Sequence, residues 1–229
     1  MEKTYRIGTR TSPLALRQVE EVLVSLGIYN ILIKTKIVGI DTIGDKDKLT
    51  PISHVEGSDF FTRDIDEALL KGDIDFAIHS AKDLPDILSK GLTIAALTRS
   101  VDPYDVLVSR EGLSIKELPY KARIGTSSLR RKEALEKFRQ DFRVVDIRGN
   151  IGERLHLLDN DRGLNLDAIV IAAAGLLRLG LAHRITQRLP FDILSPHPLQ
   201  GSLAIVIREE DSQLADLLGR INSAGKVLI

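Results

Sequence analysis

The chain has 229 residues, of which 43% are hydrophobic and 28% charged, as in a globular protein of one or two domains. It contains no cysteine, which excludes a disulfide framework, a thiolate metal site and a cysteine nucleophile within this sequence. Its 32 Lys and Arg residues balance 32 Asp and Glu residues, so it lacks the net basicity of a nucleic-acid-binding domain.

Strand and helix patterns alternate along the first part of the chain. Ser12 occupies the N-cap position, and Pro13 the first helical position, of a helix that is predicted to continue to about Ser25. A second helix is predicted over 62–70, and the aperiodic stretch 39–59 before it predicts a long loop. The predicted strands of this part cover residues 5–9, 31–38, 75–79 and 92–97.

The same alternation continues to the end of the chain. Further helices are predicted over 129–139, from Ile151 onward and over 212–221. Repeated strand–loop–helix units predict an α/β fold with mainly parallel sheets. The predicted strands of this part cover residues 123–125, 142–147, 167–172 and 203–207.

Two segments that contain proline are interpreted as crossings between domains. They cover residues 99–104 and 190–198, and proline restricts the backbone of both. Two crossings predict that one domain is inserted into the other. Domain 1 is predicted to comprise residues 1–98 and 195–229, and the inserted domain 2 residues 99–194.

Polar clusters follow four of the predicted strands. Ligands of such sheets bind at the carboxyl ends of the strands, so the clusters predict one shared site. Arginine is abundant near two of them, and eleven arginines lie between Pro119 and Leu189. The clusters are Thr9–Ser12, His79–Asp83, Gly125–Arg131 and Arg148–Arg154.

Three of these clusters combine a helix start with arginine. Free N–H groups and the positive end of the helix dipole favour an oxyanion there, and a guanidinium group binds two carboxylate oxygens at once. Several such helix starts indicate a ligand with several carboxylates, whereas ordinary N-caps beside solvated arginines are the alternative interpretation. The residues concerned are Arg10 and Ser12; Thr126, Ser128, Arg130 and Arg131; and Arg148, Asn150 and Arg154.

The fourth cluster places Lys82 and Asp83 at a strand end. An aspartate can stabilise a cation that develops during a reaction, and a surface ion pair before Pro85 is the alternative. The histidines show no metal-ligand spacing, so the sequence predicts no metal site and structural roles for all five. They are His54, His79, His156, His183 and His197.

Five motifs resemble those of the porphobilinogen deaminase family, also called hydroxymethylbilane synthases. They occur in the same order over nearly the whole chain. The resemblance implies two type II periplasmic-binding-protein-like domains, crossed twice by the chain, with the active cleft between them. The motifs are Arg6-Ile-Gly-Thr-Arg-Thr-Ser-Pro-Leu-Ala-Leu16, His79-Ser-Ala-Lys-Asp-Leu-Pro85, Gly125-Thr-Ser-Ser-Leu-Arg-Arg131, Arg148-Gly-Asn-Ile-Gly-Glu-Arg154 and Ala172-Ala-Ala-Gly-Leu-Leu-Arg-Leu-Gly180.

The resemblance implies a transferase of porphyrin and haem biosynthesis. The family condenses four porphobilinogen units into a linear tetrapyrrole, releases ammonia, and builds the chain on a dipyrromethane primer bound to a cysteine. By motif, Asp83 would contact pyrrole N–H groups and stabilise the cationic azafulvene. The primer would be held by Lys82, Asp83, Thr126, Ser128, Arg130, Arg131 and Arg154. Carboxylates of the substrate or growing chain would be bound by Arg10, Ser12, Arg148, Arg154 and Arg178.

The sequence departs from the family pattern in three places. Family members usually continue into a third domain that carries the attachment cysteine, whereas this sequence stops at Ile229 without one, so the third domain is expected to be absent. The usual Gly-Gly-Lys-Gly-Leu-Phe loop reads Glu56-Gly-Ser-Asp-Phe-Phe61, which replaces lysine by Ser58 and adds the negative charge of Asp59. The usual Pro-Ala-Val-Gly-Gln-Gly turn reads Pro196-His-Pro-Leu-Gln-Gly201.

Three hypotheses about function follow from these features. The first is an active deaminase whose dipyrromethane is held without a thioether, or which works with a separate chain that supplies the third domain. The second is a non-catalytic binder of tetrapyrroles or polycarboxylates. The third, a general solute-binding module, is disfavoured because the start at Met1 shows no apolar signal segment. The sequence predicts a cytoplasmic protein with small-molecule ligands and neither membrane nor nucleic-acid partners.

Overall fold

The structure is a computed structural model, and it describes residues 3–47, 59–160 and 163–223. Within these ranges the chain divides into two compact units. The first unit contains residues 3–47, 59–101 and 201–223, and the second contains residues 102–160 and 163–200. In the described part of the chain, every helix is too short or too polar to traverse a bilayer.

The described residues form ten strands and seven α-helices, with single 3-10 turns at Asp59–Phe61, Ala81–Asp83 and Ala182–Arg184. The strands are β1 (Thr4–Thr9), β2 (Lys34–Gly39), β3 (Phe76–Ser80), β4 (Leu92–Leu97), β5 (Asp105–Ser109), β6 (Arg123–Thr126), β7 (Arg143–Asp146), β8 (Ala168–Ala172), β9 (Gln187–Arg188) and β10 (Leu203–Arg208). The helices are α1 (Pro13–Ile28), α2 (Ile43–Lys46), α3 (Arg63–Leu70), α4 (Leu129–Phe138), α5 (Ile151–Asn160), α6 (Ala173–Arg178) and α7 (Ser212–Gly219).

Each unit is built around one mixed five-stranded sheet. The first sheet has the order β2-β1-β3-β10-β4, and β10 runs antiparallel to both of its neighbours. The second has the order β7-β6-β8-β5-β9, and β5 runs antiparallel to both of its neighbours. The predicted α/β fold is confirmed. Both sheets are mixed, because four strands of each run parallel and one runs in the opposite direction.

Helices cover both faces of each sheet with apolar side chains. In the first unit, α1 and α7 pack on one face and α3 on the other, where Ile65 and Leu69 contact Ala77 of β3. In the second unit, α4 covers one face, and α5 and α6 cover the other. In each unit, the loops at the strand ends therefore extend from a sheet that has a hydrophobic cluster on both faces.

The predicted helix caps are present. The Ser12 hydroxyl accepts a hydrogen bond from the backbone N–H of Ala15 at 3.2 Å, and Pro13 begins α1. Asn150 accepts from the N–H of Glu153 at 3.0 Å, and its own N–H donates to the Glu153 carboxylate at 2.7 Å. These bonds satisfy N–H groups that a helix start otherwise leaves without partners.

The sequence analysis did not predict two strands and two helices of the structure. The single-turn helix α2 lies in the stretch predicted to be a loop, and β5, α6 and β9 have no counterpart among the predicted elements. The prediction of a loop over 39–59 is therefore wrong at Ile43–Lys46, and its part over 48–58, including Ser58, lies outside the described residues.

Candidate functional site

A cavity of about 70 Å³ lies in the first unit, at the carboxyl ends of β1 and β3. The structure brings three predicted site residues to it: Arg10, Ser12 and Asp83. Lys82, next to Asp83 in the 3-10 turn, is half-buried and is not one of the lining residues. The cavity is lined by Thr9, Arg10, Ser12, Leu14, Ala15, Gln18, Phe61, Thr62, Ile78, His79, Ser80 and Asp83.

Arg10 is held by a carboxylate of the protein. Its Nε lies 3.1 Å from both carboxylate oxygens of Asp45, and its Nη2 also donates to Asp45. Asp45 in turn accepts from the backbone N–H of Thr42 at 3.1 Å and from the Thr42 hydroxyl at 2.8 Å. Burial tends to raise the pKa of Asp45, but the hydrogen bonds and charge of Arg10, together with the hydrogen bonds from Thr42, lower it below its ordinary value.

An aromatic ring supports the same arginine. The Arg10 guanidinium carbon lies 4.6 Å from the centroid of the Phe61 ring, within the range of a cation–π contact. The ring also packs closely on Gly44 of α2, where an added Cβ would lie 2.2 Å from a ring carbon. Helix α2 therefore positions Arg10 through Asp45 and supports Phe61 through Gly44.

Two polar atoms of the cavity lining are buried without a hydrogen-bond partner among the described residues. They are Oγ1 of Thr9, at the end of β1, and Nε2 of His79, in β3. His79 is 5% exposed, and burial lowers its pKa to about 4, although the charge of Asp83 acts in the opposite direction. The imidazole is therefore neutral at physiological pH.

In the second unit, two predicted arginines meet on one buried aspartate. The carboxylate of Asp105 has no exposed surface, and it accepts from Nη2 of Arg130 at 2.6 Å. It also accepts from Nε and Nη2 of Arg131, at 3.0 and 2.7 Å, and from the side-chain amide of Gln200 at 3.1 Å. Among the described residues, two guanidinium groups share this one carboxylate, which leaves the cluster a surplus of positive charge.

The two arginines differ in exposure. The Arg131 side chain is 6% exposed, and its donors to Asp105 use one edge of the guanidinium group. The Arg130 side chain is 31% exposed, and it also donates to the backbone carbonyl of Ser195. The surplus charge therefore reaches the surface through Arg130.

The hydroxyl residues beside this cluster are placed by β6 and the start of α4. Thr126 is fully buried at the end of β6, and its Oγ1 accepts from the N–H of Ser128 at 3.5 Å. Ser128 is the half-buried N-cap of α4. The hydroxyl of the intervening Ser127 donates to the carbonyl of Ile147 at 2.5 Å, which fixes this turn against the neighbouring strand end.

The remaining predicted arginines lie elsewhere in the second unit. Arg148 and Arg154 flank the turn before α5, and Nε of Arg154 donates to the carbonyl of Gly149 at 2.8 Å. Gly149 has a φ of +97°, a left-handed conformation that favours glycine. Arg178 is the half-buried last residue of α6.

Sequence reasoning missed the acidic partners of the arginines. Asp45 is 35 residues from Arg10, and Asp105 is 26 residues from Arg131, so neither pair follows a helical or strand period. Gln200 lay within the quoted Pro196–Gly201 turn, but its contact with Asp105 had no local signal. For Asp105, the sequence signal was its position directly before the apolar run Val106–Val108, which indicates a strand end.

Comparisons with solved structures show the fold. An ancestral cationic amino acid solute binding protein superposes with a TM-score of 0.54 at 14% identity, covering 95% of this chain and 87% of that one. The periplasmic VFT2 domain of Bordetella pertussis BvgS gives a TM-score of 0.52 at 16% identity, covering 95% and 86% of the two chains. The predicted periplasmic-binding-protein-like fold class is thereby confirmed.

Comparisons of sequence show the family. Residues 5–216 match the family model described as "Porphobilinogen deaminase, dipyromethane cofactor binding domain". The porphobilinogen deaminase of Pelotomaculum thermopropionicum is 42% identical over 222 residues, which cover 97% of this chain and 70% of that protein. That of Paenibacillus macerans is 39% identical over 231 residues, covering 99% and 70%. The chain belongs to the porphobilinogen deaminase family of transferases, as its motifs predicted.

Proposed function

We propose that the chain is a hydroxymethylbilane synthase-like transferase that condenses porphobilinogen into a linear tetrapyrrole and releases ammonia. The observation that carries this proposal is the cavity of the first unit, where Asp83 lies on the same lining as Arg10 and Ser12. Relatives that are about 40% identical over nearly the whole chain bear the name of this activity, which supports the proposal.

Asp83 has the charge that the reaction requires. The bond between the aminomethyl carbon and its ammonium nitrogen breaks, and the nitrogen leaves as ammonia with the bonding electron pair. The carbon left behind is a cation conjugated with the pyrrole ring. It forms a carbon–carbon bond with the free α carbon of another pyrrole, which then loses its proton. A carboxylate held beside the cation lowers the energy of this path, and we assign that role to Asp83.

Arginines meet the acidic arms of the substrate. Each porphobilinogen carries two carboxylates, so a growing chain needs several cationic partners. We assign Arg10 and Ser12 to the substrate, because both line the cavity that contains Asp83. Arg148, Arg154 and Arg178 are assigned to carboxylates of the substrate or the growing chain, and each is half-buried, which leaves part of the side chain accessible.

The residues of the second unit fit a dipyrromethane with carboxylate arms. The cluster at Asp105 has two guanidinium groups for one carboxylate, and Arg130 presents the surplus charge at the surface. When bound, this group supplies the free pyrrole carbon on which the chain grows. We propose that Arg130 contacts its carboxylates and that the buried Arg131 orders this cluster. The other residues assigned to it are Lys82, Asp83, Thr126, Ser128 and Arg154.

The test is incubation of the full chain with porphobilinogen. We expect ammonia release and a soluble linear product, with pyrrole units bound to the chain in its native mass spectrum. The Asp83→Asn variant is expected to lower the turnover number by about 100-fold, because the neutral amide no longer stabilises the cation. Asp86→Asn, a matched control on an exposed aspartate of the same segment, is expected to keep the unaltered rate.

Two outcomes would contradict these assignments. Turnover of Asp83→Asn at the unaltered rate would remove the role of Asp83. Binding of porphobilinogen by the unaltered chain without ammonia release or a linear product would show a non-catalytic binder instead of a transferase.

A further inference from the structure

The cavity of the first unit contains two polar atoms that the fold itself leaves unsatisfied. Oγ1 of Thr9 and Nε2 of His79 are buried and have no hydrogen-bond partner within the described ranges. Thr9 is fully buried and His79 is 5% exposed. A buried polar atom without a partner destabilises the folded state, because it has lost its hydrogen bonds to water and gained none.

Apolar residues of the same shape would avoid this cost. Valine is nearly isosteric with threonine, and leucine would fill the space of the imidazole without buried nitrogens. Both atoms belong to residues that line one cavity, together with Arg10 and Asp83. Two independent unsatisfied atoms at one cavity indicate that their partner arrives from outside the fold.

The chemistry of the lining selects the kind of partner. The threonine hydroxyl and the neutral imidazole can each donate a hydrogen bond. Because burial lowers the pKa of His79 to about 4, the imidazole is neutral near pH 7 and is a poor general acid there. The adjacent Arg10 brings a guanidinium group, paired with Asp45, to the same lining. Donors beside a guanidinium group suit a carboxylate.

We propose that Thr9 and His79 are ligand-contacting residues, and that their unsatisfied atoms hydrogen-bond a carboxylate arm of porphobilinogen in this cavity. The inference rests on the proposed function. It adds two contacts to those assigned to Arg10 and Ser12. It also gives His79 a role in ligand binding, whereas the sequence predicted a structural role for this residue. The cavity of about 70 Å³ has room for a small polar group.

The experiment compares folding stability with substrate recognition in the full chain. The variants are Thr9→Val, His79→Leu and His79→Gln, and the last of these keeps a neutral side chain that can donate a hydrogen bond. His183→Leu is the matched control, because His183 is an exposed histidine of the second unit. The ligand-free Tm is measured by calorimetry, and KM and kcat are measured with porphobilinogen.

Opposite changes in stability and recognition are expected. Thr9→Val and His79→Leu should raise the ligand-free Tm by about 2–4 °C, because each removes a buried unsatisfied atom. Each should also raise KM for porphobilinogen by about tenfold, because a hydrogen bond to a charged group is lost. His79→Gln should keep KM within about threefold of the unaltered chain, and His183→Leu should change neither Tm nor KM.

Three outcomes would overturn the inference in distinguishable ways. A lower Tm with unchanged KM would show that Thr9 and His79 are structural and have partners within the folded protein. A higher Tm with unchanged KM would show that no substrate group reaches them. If the unaltered chain neither bound nor converted porphobilinogen, the proposed function itself would fail, and this inference with it.

Discussion

The carboxylate of Asp105 has no exposed surface, yet it accepts hydrogen bonds from Arg130, Arg131 and Gln200. A guanidinium group cannot lose its proton in a protein, so a buried arginine depends on a fixed negative partner. Arg131, with a side chain 6% exposed, is in this position, whereas Arg130 can turn to water. At the scale of single residues, Asp105 therefore neutralises one of the two arginine charges of this cluster.

We expect Asp105→Asn to lower the free energy of unfolding by about 3 kcal/mol, because it leaves the buried charge of Arg131 without compensation. Urea denaturation at neutral pH measures this loss. Asp146→Asn, at an exposed aspartate of the same unit, is the control and should change the value by less than about 0.5 kcal/mol. Equal effects of the two substitutions would contradict the importance of the Asp105 cluster.

Helix α2 shows how one short element can order a site. A single turn of helix has little stability of its own, because nucleation fixes several residues for few hydrogen bonds. Here the turn is held by the contact of Asp45 with Arg10 and by the packing of Gly44 on the Phe61 ring. The element and the site therefore stabilise each other.

The Gly44→Ala substitution tests this packing. An added Cβ would lie 2.2 Å from a carbon of the Phe61 ring, so the ring must move away from its position beside Arg10. We expect the free energy of unfolding to fall by about 1–3 kcal/mol, as measured by urea denaturation.

The matched control for Gly44 is Gly27→Ala in α1, where an added Cβ meets no atom within 4 Å. That substitution should raise the free energy of unfolding by about 0.4–1 kcal/mol, because alanine restricts the unfolded chain more than glycine does. If Gly44→Ala raised the free energy of unfolding as Gly27→Ala is expected to do, Phe61 would accommodate the methyl group without cost.

The elements that the sequence predicted well have local signals. Ser12 with Pro13, and Asn150 with Glu153, mark helix starts through hydrogen bonds between neighbours in the chain. The apolar run of β8 was long enough to indicate a buried strand, whereas β5 has only Val106–Val108 between polar residues. Helix α2 has four residues, about one helical turn, which is too short for a repeating hydrophobic pattern to indicate a helix.

The sequence indicated which residues belong to the candidate site, but not which residues form hydrogen bonds with each other there. Motifs indicated Arg10, Ser12 and Asp83, and the structure places all three on one cavity. The partner of Arg10 could not be found, because tertiary packing brings Asp45 to it across 35 residues of chain. The unsatisfied Nε2 of His79 is a property of its three-dimensional surroundings, so no sequence pattern reports it.

At the scale of the whole molecule, the described residues of the second unit all lie between residues 102 and 200, and hydrogen bonds join the two ends of this stretch. The side-chain amide of Gln200 donates to the carbonyl of Pro103 at 2.7 Å and to Asp105 at 3.1 Å. The core of this unit contains side chains from within the stretch. Such closure is typical of a domain that can be inserted into another without disturbing its core.

We expect a fragment of residues 102–200 to fold alone and to unfold cooperatively in urea, as followed by far-UV circular dichroism. A fragment of residues 102–194 lacks Gln200 and the Ser195 carbonyl that Arg130 contacts, so it should be less stable by about 1–3 kcal/mol. Equal stability of the two fragments would favour the boundary after residue 194 that the sequence predicted.

The pairing of Arg10 with Asp45 has a consequence for the dependence of binding on ionic strength. The charge of Arg10 is already neutralised by Asp45. A ligand carboxylate that reaches Arg10 therefore meets an ion pair and not a lone positive charge. In the second unit, Asp105 likewise offsets one of two arginine charges. The long-range attraction for an anionic ligand is therefore weaker than the number of arginines suggests, and recognition depends on short-range geometry that dissolved salt screens little.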